Sequence, residues 1–264
     1  MNLPPCLDAL KWCDDVVIVD AGSTDSSREI AEAAGARVFV KDFATEDAQL
    51  NWIAKNVDYH HPWVYFCDAD EIVTEELKDE LLQIAATPDL DLVAYRLRYK
   101  NYFMNRWIRH CGIYPVWLLR FFRPEFVSWE RTINTTVSVQ GKEGRLNSHF
   151  LHFSFRKGIA SWFEKHNRYS TFEAIESRRS LSTTTVNWKN IFQLRNHAAR
   201  RTALKELSFR MPFRPLLRFF YMYIIKLGFL DGIPGFHYCL LLSLYEYMIV
   251  LKMKELNQQE KGSA

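Results

Sequence analysis

The sequence predicts an α/β fold, a mostly parallel sheet with helices on both faces followed by a C-terminal helical extension, and three observations predict it. Short β-branched runs alternate with helical stretches of about a dozen residues through the first third of the chain, the pattern of a parallel sheet built from crossover connections. Each run ends in polar, acidic or turn-forming residues. The last third abandons the alternation for long apolar stretches laced with Arg and Lys. The predicted boundary falls between residues 1–155, which hold the sheet, and residues 156–264, which hold the extension.

Taken in order, residues 8–11 read as the end of a helix, and Val16-Val17-Ile18-Val19-Asp20 is a compact buried strand. Residues 21–27 supply Gly22 and a set of helix-capping hydroxyls before a helix over residues 28–34 that Gly35 stops. A second strand follows over 37–40, a helix over 46–57, a third strand over 63–67 and a helix over 75–86. Residues 92–99 alternate like a half-exposed strand, and the stretch through Leu119-Arg120-Phe121-Phe122-Arg123 is dense in aromatic and basic residues. Gly141 to Gly144 marks a turn, and residues 146–155 carry His149 and His152 before a helix beginning near Lys157. That helix places Trp162, Phe163, His166 and Tyr169 on neighbouring turns, a stripe that suits core packing and could otherwise offer aromatic faces to a sugar.

The C-terminal third reads as a helical hairpin over residues 214–226 and 236–251. Its longest stretch free of Asp, Glu, Lys and Arg runs from Gly232 to Tyr245, shorter than the ~20 residues that span a bilayer. A transmembrane helix is therefore not expected. Basic residues beside Phe, Tyr, Leu and Ile suit a hairpin lying in a membrane interface, and the same pattern would also serve a hairpin packed on the protein's own body. Residues 252–264 are polar and expected to fray.

A chain of 264 residues with 48% hydrophobic content can bury a full core. The net charge of +3 conceals a division, since residues 1–91 hold 20 acidic and 6 basic side chains and the remainder holds 11 and 28. An acidic half repels phosphates unless a cation bridges them, and a basic half suits an anionic acceptor or membrane surface. No nucleic-acid-binding motif is present, and the aromatic residues are dispersed, so nucleic acid is not an expected partner. The five cysteines are scattered without a Cys-x-x-Cys pair, which argues against a disulfide framework and a zinc site and fits a reducing cytosol. No basic-then-apolar leader precedes the first helix, so a cytoplasmic location at the inner face of the cytoplasmic membrane is expected.

The chemistry points to Val64-Tyr65-Phe66-Cys67-Asp68-Ala69-Asp70-Glu71, an apolar run that ends in three carboxylates. Side chains two apart on a strand share a face, so Asp68 and Asp70 would crowd each other. Either a cation sits between them or one takes up a proton. Hard oxygen ligands at the carboxyl end of a sheet suit Mg²⁺ or Mn²⁺ together with substrate phosphates. Open α/β sheets bind ligands there, where Asp20, Gly22, Ser23 and residues 68–71 all lie. Asp-x-Asp alone is a common surface-loop pattern, and the larger context is what gives it weight.

That context resembles glycosyltransferase family 2, the inverting nucleotide-sugar enzymes of GT-A, Rossmann-like fold, and within it the bacterial branch that builds lipopolysaccharide core and exopolysaccharide. The resemblance runs through residues 16–25, Gln49 and Asn51, residues 68–71, Tyr114-Pro115 with residues 119–123, Gly144-Arg145-Leu146, Leu151-His152, residues 165–170 and Gly228-Phe229-Leu230-Asp231-Gly232. It implies that Asp20 accepts from the nucleobase or ribose and that Gly22, Ser23, Gln49 and Asn51 help bind the donor. Asp68 would contact the ribose, Asp70 would hold the divalent metal on the donor diphosphate and act in catalysis, and His152 would be a further metal or diphosphate contact. Inversion needs a general base. Relatives often place a His-Glu or Asn-Glu pair where this chain reads Asn134-Thr135, which leaves Glu130 as the candidate. The family also has an extra strand ahead of the segment like residues 2–7, inside the sheet, and Met1 falls where that strand would have ended. The implied function is transfer of a hexose from a nucleotide-sugar, UDP-linked, to a lipid-carried saccharide. The alternatives are an inactive remnant of such an enzyme and a metal-dependent nucleotidyltransferase, for which no glycine-rich loop precedes the acids.

Overall fold

The computed structural model describes residues 2–87, 91–130, 136–183, 199, 200, 203, 207, 211 and 213–262. The chain divides into two compact units, Met1–Arg109 with Ile113–Lys157, and His110–Gly112 with Gly158–Ala264.

The first unit is α/β. After the short helix α1 (Leu3–Asp8), the β-branched run β1 (Val17–Asp20) pairs in parallel with β2 (Arg37–Val40), joined through α2 (Ser27–Ala33). Helix α3 (Glu46–Asn56) starts at Thr45, whose hydroxyl accepts from the Ala48 N–H. Next come β3 (Val64–Tyr65), β4 (Glu71–Ile72) and α4 (Glu75–Ala86), the last capped in the same way by Thr74 on the Leu77 N–H. Strands β5 (Leu92–Phe103), β6 (Arg106–Trp107) and β7 (Trp117–Phe122) precede the β8 (Val127–Glu130) and β9 (Thr136–Val139) hairpin and the long β10 (Lys142–His152). The main sheet has the order β3-β7-β5-β10-β4, with β6 paired to β5, while β1-β2 and β8-β9 form separate ladders.

Two expectations need correction. The main sheet is mixed: β5 and β10 run parallel, whereas β7 is antiparallel to both β3 and β5, and β4 is antiparallel to β10. Between β5 and β7 the chain carries β6, hairpinned back on β5, and no crossover helix, the element that usually returns a chain to a parallel neighbour. The third strand is also shorter than the apolar run that predicted it, ending at Tyr65.

Helices cover both faces of the sheet. On one face Leu77 and Leu81 of α4 pack into a cluster with Trp63, Tyr95, Phe121 and Phe150. On the other, Val93, Ala94, Leu119 and Phe122 pack against Ala54 of α3 and the β8-β9 hairpin. Trp63 and Phe121 stack at 4.9 Å between ring centroids. Leu77 is fully buried, which contributes about 2 kcal/mol from removal of its side chain from water.

The second unit is helical: α5 (Gly158–Thr183), α6 (Arg214–Phe220) continued by a π turn over Tyr221–Ile225, a 3-10 turn over Gly228–Asp231, and α7 (Gly232–Gly262). Gly235 allows the last two to close, since a Cβ there would lie 2.3 Å from the Gly228 carbonyl oxygen. Arg214 pairs with Glu246 at 2.6 Å, tying α6 to α7. Fraying is expected over residues 252–264; among the described residues the helix instead continues to Gly262. Lys252 Nζ donates to Asn167 Oδ1 at 2.7 Å and Thr171 Oγ1 at 2.8 Å, and Arg178 pairs with Glu260, so α5 holds the polar end of α7 in helix. The aromatic stripe of α5 divides: Trp162 is buried and stacks on His166, while Phe163 and Tyr169 are exposed.

Among the described residues, α7 with its preceding turn is long and apolar enough, by length and composition, to cross a membrane, with 28% of its most apolar window buried. The expectation from sequence demanded a stretch without charge. Glu246 interrupts that stretch, and in the fold its charge meets Arg214.

Candidate active site

Strand β1 delivers Asp20 to its carboxyl end, where the side chain is buried. Gly22 then turns the chain with φ +100°, a conformation that disfavours any residue with a Cβ. The turn brings the Ser23 N–H to Asp20 Oδ1 at 3.0 Å, and Arg28 Nε from α2 donates to Asp20 Oδ2 at 2.6 Å. Hydrogen bonds from Ser23, joined by Arg28 and opposed by burial, lower the Asp20 carboxyl to about 2. The loop is thus a fixed anion with its hydroxyls and Gly22 exposed to solvent.

Asp68 and Asp70 lie beyond the end of β3 and form a turn, so the two-residue period that would place them on one face does not apply. The Glu71 N–H donates to the Asp68 carbonyl at 2.9 Å, and the Asp68 N–H donates to Glu71 Oε2 at 3.2 Å. The resulting staple sends the two aspartates to different partners. Arg120 of β7, buried, donates to Asp68 Oδ2 and to Glu71 Oε1, the latter at 2.5 Å. Asp70 faces His152 at the end of β10, with Oδ2 and Nε2 3.5 Å apart, and the Phe153 N–H donates to the Asp70 carbonyl at 2.9 Å. The crowding expected from sequence is relieved by a third means, a guanidinium. Burial raises the Glu71 carboxyl, and Arg120 opposes that rise.

Among the described residues, no group of three or more His, Cys, Asp or Glu side chains could hold a metal. The donor set nevertheless fits a cation shared with a ligand. Two atoms that each sit about 2.1 Å from one Mg²⁺ can be up to about 4 Å apart, and such ions keep most of their positions for substrate phosphates and water. Asp70 and His152 meet that condition.

A cavity of about 390 Å³ separates β1 from β3, lined by Val17, Val19, Gln49, Tyr65, Cys67 and Asp68 among others. It brings Gln49 and Asp68 to one space beside the Asp20 loop, and the Gln49 amide donates to the Val19 carbonyl at 3.4 Å. Asn51 is used elsewhere: its amide donates to the Trp129 carbonyl at 2.7 Å and accepts from the Trp129 N–H at 2.9 Å, tying α3 to β8. Glu130 follows Trp129 at the exposed end of β8. Its neighbour Arg131 and the Asn134-Thr135 pair lie outside the described residues.

Sequence reasoning missed three residues here. Arg120 carried a signal, a charge inside an apolar aromatic strand, which demands a buried counter-charge. Glu71 was read only as one more acid at the tip, and Arg28 only as a helix residue; nothing in the local pattern announces their partners.

Comparison with known proteins adds the family. The model of "Glycosyl transferase family 2" matches residues 2–166. An uncharacterized glycosyltransferase of Rickettsia conorii, RC0292, is 25% identical over 265 residues, covering 94% of this chain and 83% of its own. The lipopolysaccharide core biosynthesis glycosyltransferase LpsC of Rhizobium meliloti is 27% identical over 108 residues, 39% of each chain. The crystal structure of S. aureus TarS 1–349 aligns over 100% of this chain and 88% of its own, with 14% identity and a TM-score of 0.40.

Proposed function

The chain belongs to glycosyl transferase family 2, and from that premise we propose that it moves a hexose from a UDP-linked donor to a lipid-carried saccharide in lipopolysaccharide or exopolysaccharide synthesis, with inversion at the anomeric carbon. The observation that carries the reading is the acidic turn after β3, where Asp70 meets His152 and Asp68 lines a cavity that runs back to Val19 at the end of β1. In this reading Asp20 and Asp68 accept hydrogen bonds from the nucleoside, and Gly22, Ser23 and Gln49 shape its pocket. Asp70 and His152 would hold Mg²⁺ or Mn²⁺, which when bound neutralises charge on the departing diphosphate. Glu130 is the candidate base for the acceptor hydroxyl. The Asn51 amide supports this part of the site through β8.

The second unit supports a membrane setting. Phe213, Ile225 and Ile233 are 75%, 68% and 70% exposed, and Arg214, Arg218 and Lys226 accompany them. Apolar side chains flanked by cations suit the headgroup boundary of an anionic bilayer, here the inner face of the cytoplasmic membrane.

The test is incubation with a panel of nucleotide-sugars and Mn²⁺. Release of nucleoside diphosphate, abolished in Asp70→Asn while the fold is retained, is the expected result. Release of pyrophosphate would indicate nucleotidyl transfer instead, and no metal-dependent turnover of any donor would overturn the proposal.

A further inference from the structure

We propose that Arg120 is a positioning residue of the donor site: anchored on the buried Glu71, it holds the Asp68 carboxylate in the orientation that receives a nucleoside's ribose hydroxyls. This rests on the donor-binding reading above and goes beyond it by assigning the group that sets Asp68.

The geometry is specific. Strand β7 lies next to β3, and the Phe66 N–H donates to the Arg120 carbonyl at 2.6 Å, so the backbone of Arg120 is fixed directly beneath the turn. The guanidinium is bounded by the rings of Phe66 and Phe150, at 5.0 and 5.7 Å from their centroids. It bridges two carboxylates of unlike exposure: Glu71 is 2% exposed, and the Asp68 side chain is 50% exposed. Glu71 also accepts from the Asp68 N–H. Asp68 is thereby held from below through both backbone and side chain, and the ion pair occupies Oδ2 and not Oδ1.

A buried Arg–Glu pair is a poor device for stability, because apolar replacements of similar volume are often as stable or more so. What it supplies here is a cation where Asp68 needs one. Three carboxylates crowd residues 68–71, and one guanidinium reduces their formal charge to that which a single divalent cation neutralises. Both bonds come from Nη2, which the guanidinium plane, set between the Phe66 and Phe150 rings, aims at the two acids; a lysine would carry the same charge on a flexible stem without that plane.

The experiment compares wild type, Arg120→Lys and the double variant Glu71→Gln with Arg120→Met, which removes the pair without stranding a buried charge. Calorimetry with UDP and Mn²⁺ reads affinity, a thermal melt reads folding, and turnover separates KM from kcat. Both variants should melt as cooperative folded proteins and bind UDP at least about tenfold more weakly. KM should rise with kcat nearly kept, since the ribose contact acts equally in ground and transition states. A folded variant whose UDP affinity stays within about twofold of wild type overturns the assignment and leaves Arg120 a structural residue. If the double variant does not fold, Arg120→Lys alone decides on the same criterion. Wild type that fails to bind UDP with Mn²⁺ defeats the donor-site reading itself, and the assignment of Arg120 with it.

Discussion

The two units dispose of apolar surface in opposite ways. Among the described residues of the first, Val40, Leu82 and Met104 are the large apolar side chains left exposed, while the second exposes them along α5, α6 and α7. The first unit buries more charge, with Asp20, Glu71 and Arg120 below its surface against Asp231 in the second. Burial of a charge is costly unless it is paired, so a unit that keeps several of them paired close to a loop and a turn of exposed polar groups has the marks of a site. Exposure of apolar side chains also costs free energy in water, though far less per group, so a unit that exposes many of them together suits a surface for another medium. Chemistry and attachment would thus reside in different parts of the chain.

That division can be broken by mutation. The largest expected effect is Asp70→Asn, which should lower metal-dependent turnover of the donor by about a hundredfold or more while leaving vesicle binding unchanged. Leu77→Ala should destabilise the first unit by about 2–5 kcal/mol, measured by denaturant melting, because the site is fully enclosed and the cavity cannot collapse. Phe220→Glu with Ile225→Glu should reduce partition onto anionic vesicles at least about tenfold, while diphosphate release from a soluble acceptor is kept. Loss of both functions together in that variant would show that the division is false.

A smaller effect concerns acid. Asp20 is held at about 2 against an ordinary 3.8, so its interactions contribute stability that is complete above pH 4 and is lost as pH falls toward 2. Asp20→Asn should flatten the stability–pH curve in that window and leave the neutral region less stable, as followed by melting between pH 2 and 7. The Thr74→Ala change removes one capping bond on α4 and should cost about 1 kcal/mol.

Local chemistry explains what was legible beforehand. β2 and α4 occupy the residues expected of them, since a β-branched run and a Thr-capped amphipathic stretch carry their own boundaries. The loop after β1 was legible for the same reason. The arrangement of the acids was not: Phe66 and Cys67 look like strand, but Glu71 pulls residues 68–71 into a turn through a side chain that points inward. Arg120, 49 residues further along the chain than Glu71, completes that turn, and no window of local sequence contains both. The polar end of α7 was misjudged because its helix is held by Asn167 and Thr171 of α5, another long-range cause.

The cavity between β1 and β3 also bears on how the first unit moves. The carbonyls of Val16 and Asp20 accept from Arg37 and Lys41, on the β2 side, so strand alternation turns the Val17 and Val19 amides toward the open space. Those protons meet no ladder among the described strands. Deuterium should enter them well before it enters β5, which is flanked on both sides. The ribbon bearing Asp20 would then open as a local unit at far lower free energy than the sheet, and a nucleotide settling into the gap should slow that exchange where it touches.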